Sequence, residues 1–156
     1  MSPKRTNIYQ TSSSRETKEL GSKFAKRIIK KGSGRGAAVF ALQGDLGAGK
    51  TTFVQGFMNG LGSKKRSASP TFIIMRRHSP KGGKKFKNVF HMDAYRLKSH
   101  DQLSVVDFDK IIRNPENIVL IEWPERIRKA LPKTALWLKF SHGKKENERR
   151  IVYSRG

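Results

Sequence analysis

The sequence predicts a single α/β domain, with a central mixed or mostly parallel sheet flanked by helices. Three observations carry that expectation. A length of 156 residues is enough for one hydrophobic core and short for two. Short apolar runs alternate with segments of helical period, the order expected when helices cover a largely parallel sheet. A glycine-rich loop, GDLGAGKTTF at 44–53, sits between one such run and one such segment. No repeat and no dividing linker interrupts the chain. Residues 13–156 are therefore expected to fold as one domain behind a flexible, polar terminus at 1–12.

The elements follow in order. Leu20, Phe24 and Ile28 recur at i, i+4 and i+8 as one face of a helix, and Ser13 with Glu16 fits a capping box at its start. Gly32 to Gly36 ends that helix, and Ala37 to Leu42 reads as a buried strand because it is short, continuous and bounded by glycine. Beyond the glycine loop, Phe53, Val54, Phe57, Met58 and Leu61 predict a second helix that stops at Gly62. Thr71 to Met75 and Asn88 to Met92 are strand candidates joined across PKGGKKFK, a hairpin signal. Gln102 to Ile112 is expected to be helical, with Leu103, Val106 and Phe108 only loosely periodic. Asn117 to Glu122 (NIVLIE) is the clearest buried strand, and Pro124 suits the first turn of a helix running through Leu131. Ala135 to Phe140 is expected to pair with Arg150 to Ser154.

The loop carries the chemistry. Gly44-Asp45-Leu46-Gly47-Ala48-Gly49-Lys50-Thr51 matches G-x-x-x-x-G-K-[ST] in the strand-loop-helix context that the pattern requires. Glycines let the backbone turn its N–H groups inward as an anion nest, and the following helix adds its positive N-terminal end. In this role Lys50 reaches the β and γ phosphates, Thr51 ligates Mg²⁺ and Thr52 meets the α phosphate, so a P-loop NTPase domain binding a nucleotide is expected.

A nucleotide hydrolase also needs an acid for the metal and a group that orients the attacking water. Glu122 and Asp93 both end apolar runs. Glu122 is the better Walker B acid on hydropathy, because the run before Asp93 is interrupted by His91; the pattern does not assign their roles separately. Thr71, in Ser69-Pro70-Thr71-Phe72, is a candidate switch threonine. His78, His91, His100 and His142 lack metal-ligand spacing and read as structural or surface residues. Trp137 reads as core, whereas Trp123 stands beside a candidate catalytic acid.

Charge and composition bound the rest. Lys plus Arg number 34 and Asp plus Glu 12, a formal charge of +22, so an anionic partner competes with a generally basic proteome as the explanation. The Lys/Arg-rich clusters are Lys64 to Arg66, Lys81 to Lys87 and Lys144 to Arg150. The absence of cysteine excludes disulfides, thiol nucleophiles and cysteine zinc sites. No apolar run approaches the ~18 residues of a membrane helix, and the first residues lack a leader's apolar region. A cytoplasmic protein is expected.

Taken in order, GDLGAGKTTF, GFMNGLG, SPTF, HMDAYRL and LIEWPER resemble the TsaE (YjeE) family, small ATPases required to make threonylcarbamoyladenosine in tRNA. The resemblance spans nearly the whole chain. It implies a slow ATPase that acts with a TsaB–TsaD complex on the tRNA N6-threonylcarbamoyladenosine (position 37) modification. It further implies that Lys50 and the glycine loop hold phosphates, that Thr51 and Glu122 lie at Mg²⁺ with Asp93 at or near it, and that Thr71 is switch-like. By position, Ser14 and Arg149 are added as nucleotide contacts. The chain departs from the family at Met75-Arg76-Arg77-His78, where acidic residues are usual, and in its charge, which implies a remodelled partner surface. Two alternatives stand beside this reading: a small-molecule kinase, and an RNA-binding accessory whose affinity the nucleotide gates, with tRNA contact through the basic clusters.

Overall fold

The computed structural model describes residues 6–63, 74–81, 85–99 and 101–155. The described residues form a seven-stranded mixed sheet. In chain order the elements are β1 (Asn7–Thr11), α1 (Ser14–Lys31), β2 (Ala38–Gln43), α2 (Lys50–Gly60), β3 (Met75–His78), β4 (Asn88–Asp93), α3 (Gln102–Val105), α4 (Phe108–Arg113), β5 (Asn117–Glu122), β6 (Leu136–His142) and β7 (Arg149–Arg155), with 3₁₀ segments at Ala94–Arg96 and Pro124–Ala130. The strand order is β1-β7-β6-β2-β5-β4-β3. β6, β2, β5 and β4 run parallel, while β1 with β7, β6 with β7, and β3 with β4 are antiparallel.

The central strands are buried on both faces, which is why AAVFAL and NIVLIE are continuous rather than alternating apolar runs. Their side chains divide by parity. Phe40, Leu42, Val89, Ile118 and Leu120 meet α1 and α2 through Phe24, Phe53 and Phe57. Val39, Met92, Val119 and Ile121 meet Leu103, Phe108 and Ile127 on the opposite face.

α1 begins as its sequence predicts. Ser13 Oγ accepts from Glu16 N–H at 3.1 Å, while Glu16 Oε2 reaches back to accept from Ser12 N–H at 2.6 Å, one residue beyond a standard capping box. α1 and α2 cross through glycines. A Cβ on Gly56 would lie 1.9 Å from Lys18 O, and one on Gly21 would lie 2.2 Å from Phe53 O. That close approach lets Phe24 meet Phe53 edge-on at 5.6 Å and fixes the start of α1 beside the start of α2.

Several expectations are corrected. Residues 7–11 are not a flexible terminus but strand β1, laid on β7; the pairing partner is more than a hundred residues away, and five residues with a single apolar pair, Ile8 and Tyr9, do not announce it. The helix expected over Gln102 to Ile112 breaks into α3 and α4 at Asp107, whose left-handed φ of 51° ends one turn before the next begins. The segment after Pro124 is 3₁₀ and kinks at Ile127. Of the strand expected over Thr71 to Met75, only Ile74 and Met75 are described; Ile74 forms a bend and β3 runs over Met75–His78, while Thr71 lies outside the described residues.

Candidate functional site

Three parallel strands deliver the site. β2 ends at Gln43 and hands the chain to the glycine loop, while Leu42, Glu122 and Asp93 lie side by side in the registers of β2, β5 and β4. This is the crevice at the carboxyl ends of parallel strands, where open α/β sheets bind ligands. Parity puts His91, Asp93 and Glu122 on the α2 face of the sheet, as Val89 and Leu120 show from their packing.

The loop is built as an anion nest. Gly47 and Gly49 have φ of 76° and 103°, values that cost an L side chain strain, and Gly49 is the N-cap of α2 with no side-chain cap of its own. The N–H groups of the first turn of α2 therefore face the cleft without a side-chain acceptor. Lys50 is 5% exposed. Its ammonium donates to Gly44 O, and to Asp45 O at 3.3 Å, and lies 4.2 Å from the centroid of the Trp123 ring. Burial pushes the Lys50 pKa below its ordinary 10.5; the carboxylates of Glu122, Glu125, Asp45 and Asp93, in that order, oppose the shift.

Glu122, 3% exposed, ties the site together. Thr51 Oγ1 donates to its Oε1 at 3.2 Å, and His91 Nε2 lies 2.8 Å from its Oε2. His91 is fully buried. Asp93 accepts from Tyr95 N–H at 3.0 Å. Burial pushes its carboxyl above the usual range; the Tyr95 N–H pulls down, Glu122 adds to the rise, and Arg96 and His91 oppose it.

Trp123 follows Glu122 in a left-handed conformation, φ 57° and ψ 47°. For a bulky residue this costs about 1–3 kcal/mol, and such strain persists where the surroundings hold it. Here the ring meets both Lys50 and Tyr95, whose centroid lies 5.0 Å away, and Arg126 in turn lies over the Tyr95 ring at 4.8 Å. Trp137 packs with the opposite core and is covered by Arg128 at 4.2 Å.

A cavity of about 200 Å³ runs along these groups. That is below the ~300–1,000 Å³ of whole-ligand pockets, so its size suits the phosphates, with the rest of a nucleotide extending outward. At its outer side Arg149 donates to Gly47 O at 3.2 Å and to the carbonyls of Glu146 and Glu148 at 2.7 and 2.9 Å.

A sequence profile described as "Threonylcarbamoyl adenosine biosynthesis protein TsaE" matches residues 11–151. The chain belongs to the TsaE family. Among its relatives, the "tRNA threonylcarbamoyladenosine biosynthesis protein TsaE" of Bacillus subtilis (strain 168) is 32% identical over 146 residues, covering 94% of this chain and 84% of that protein. The protein of the same name in Haemophilus influenzae is 34% identical over 113 residues, 72% and 68% of the two chains. The crystal structure of Bacillus subtilis YdiB superposes with a TM-score of 0.74 at 26% identity, covering 99% of this chain and 88% of that one.

In this TsaE chain, Ser14, Asp45, Leu46, Gly47, Gly49, Lys50, Thr51, Thr52, Asp93, Glu122 and Arg149 line the one cavity. Gly44 closes the loop by accepting from Lys50, and Ala48 turns into the core. Thr71 lies outside the described residues. Thr17 and Asn147 also line the cavity and were not expected. Nor was the placement of His91 on Glu122, although strand parity carried a signal: two residues before Asp93 is the same face. No group of three or more His, Cys, Asp or Glu side chains forms a ready metal cage among the described residues. A divalent ion would instead need Thr51, the two acids and phosphate oxygens together, which suits the donor set preferred by Mg²⁺. No described helix is long and apolar enough to cross a membrane.

Proposed function

We propose that this chain is the ATP-binding and hydrolysing component of the machinery that makes N6-threonylcarbamoyladenosine at position 37 of tRNA, acting with a TsaB–TsaD type complex. The observation that carries the reading is the convergence of Lys50, Thr51 and Glu122 at the mouth of the glycine loop. Lys50 is the phosphate ligand. To reach β and γ oxygens it exchanges its bonds to Gly44 and Asp45 for charged ones, and its contact with Trp123 keeps it desolvated, which strengthens the attraction. Thr51 and Glu122, with Asp93 beside them, would hold Mg²⁺, which would supply neutralisation of charge on the phosphoryl group. His91 holds one oxygen of Glu122 so that the other stays aimed at Thr51. Asp93, opposite Glu122 in the β4–β5 register and lining the same cavity, is placed to orient an attacking water. Arg149 and Ser14 bracket the outer part of the nucleotide.

The test is phosphate release from ATP by the full chain, alone and with TsaB and TsaD, with Lys50→Ala in parallel. Stimulation by the partners that is lost in Lys50→Ala supports the proposal. Turnover indifferent to the partners sinks the pathway assignment and leaves only an ATPase. A phosphorylated metabolite in place of free phosphate replaces hydrolysis by kinase chemistry.

A further inference from the structure

The end of the domain away from the glycine loop holds a second concavity, of about 680 Å³. It lies between the last turns of α1, the first residues of β2 and β6, and the end of β7. Four exposed cations edge it, Arg27 and Lys31 from α1, Lys133 before β6 and Arg155 from β7, and no carboxylate lines it. The sequence explains why. Residues 20–44, 126–145 and 149–156 contain no Asp or Glu at all, and the concavity is built from these stretches alone. Glu116 comes to the same end of the sheet, where Ser33 donates to Pro115 O at 2.9 Å, but its carboxylate is engaged by Lys87 at 2.7 Å. Its apolar lining that reaches solvent is the half-buried Leu136 and Tyr153, backed by the buried Phe24 and Phe40; Tyr153 packs edge-on against Phe24 at 5.6 Å, and Arg27 lies over the Phe24 ring at 5.4 Å.

This arrangement differs in kind from the glycine loop. There is no desolvated cage for a single small anion; the cations come from three elements and are exposed, which suits a ligand whose charges repeat along its length. An apolar floor beneath cations suits a polymer that carries flat, weakly polar groups between its charges. The distance also matters. α1 touches the nucleotide cavity at Ser14 and Thr17 and this concavity at Arg27 and Lys31, so the two are roughly 15–25 Å apart along the helix.

We propose that this concavity is a binding surface for the phosphate backbone of RNA, independent of the nucleotide held by the glycine loop. The four cations neutralise successive phosphates, and a base or ribose rests on the apolar floor. The choice of RNA among polynucleotides rests on the tRNA pathway proposed above; the concavity and its charge do not.

The experiment is fluorescence anisotropy of an unmodified tRNA transcript with the full chain over a series of potassium chloride concentrations. A variant carrying Arg27→Gln, Lys31→Gln, Lys133→Gln and Arg155→Gln is compared with one that loses equal charge elsewhere, Lys18→Gln, Lys98→Gln, Lys129→Gln and Lys139→Gln. All eight positions are exposed, so both variants are expected to fold. The first is expected to lower the slope of log affinity against log salt by about 3–4, and the second by no more than about 1. Lys50→Ala is expected to bind tRNA like the wild type. Equal losses in the two variants would reduce the effect to net charge and overturn the proposal, as would competition by ATP and Mg²⁺. Polyglutamate of matched charge binding as tightly as tRNA would assign the surface to an acidic protein instead. None of these readings needs ATP hydrolysis, so a failed ATPase assay leaves the titration interpretable.

Discussion

His91 is expected to be the residue whose loss the nucleotide site tolerates least without any nucleotide present. Replacing it with leucine leaves a carboxylate oxygen of Glu122, 3% exposed, without its 2.8 Å partner. Removing one member of a buried, hydrogen-bonded pair costs about 3–5 kcal/mol, and Thr51 still satisfies the other oxygen, so the lower half of the range, about 3–4 kcal/mol, is expected. For a domain of this size each kcal/mol moves Tm by about 2–4 °C, giving a fall of roughly 6–16 °C. Glu122→Gln is the control, because its amide retains a hydrogen bond to the histidine while the charge is gone; its Tm should fall by less than half as much. Urea unfolding and thermal melts of the two variants measure this. Equal losses, or a His91→Leu variant that melts within a degree of wild type, would refute the idea that His91 is there to hold Glu122.

Lys50→Ala is expected to abolish phosphate release and to weaken ATP binding at least tenfold, about 1.4 kcal/mol, in a calorimetric titration. Gly56→Ala places a Cβ 1.9 Å from Lys18 O; overpacking of that kind costs about 1–3 kcal/mol, so Tm should fall by roughly 2–12 °C, and ATP affinity should fall with it because α1 carries Ser14 and Thr17 to the cavity. The raised pKa of Asp93 means the folded state holds a proton that the unfolded state has released, so nucleotide-free stability falls as pH rises from the ordinary carboxylate value through the raised one. Denaturant midpoints of Asp93→Asn across that range should lack this fall.

The legible part of the sequence was the part specified locally. Asn117 to Glu122 is β5 to the residue, and the glycine loop lies between strand and helix as its pattern demands, because both signals are complete within a few residues. β1 was not legible: Asn7 to Thr11 is short and mostly exposed, and it is held by partners distant in sequence, the ladder on β7 and the contact of Tyr9 with Phe24. The left-handed Trp123 was hidden too, since Lys50 and Tyr95 pack on its ring and hold it against its intrinsic preference; the break at Asp107 falls on an exposed residue of a type that tolerates the left-handed region. His91 is the instructive failure. On hydropathy it reads as an interruption that weakens the case for Asp93, yet diagonal neighbours on parallel strands share a face, and that puts the imidazole on Glu122.

The distribution of carboxylates gives this small domain its two-ended character. With only 12 Asp and Glu against 34 Lys and Arg, the acids are not spread to balance charge. Asp45, Asp93, Glu122 and Glu125 all act on Lys50 at the glycine loop, where the acid proposed for the metal must coexist with the cation proposed for the phosphates. Their presence there makes the loop less repulsive to Mg²⁺ than the chain's charge would suggest, since at short range local carboxylates outweigh cations separated by more than a Debye length of ~8 Å. The far end of α1 has no such counterweight, and its cations act at full strength on any polyanion. Raising salt should therefore weaken binding at the far end steeply while affecting the partly buried nucleotide site much less, because buried pairs are poorly screened. A chain whose charge served solubility alone would show no such difference between its two ends.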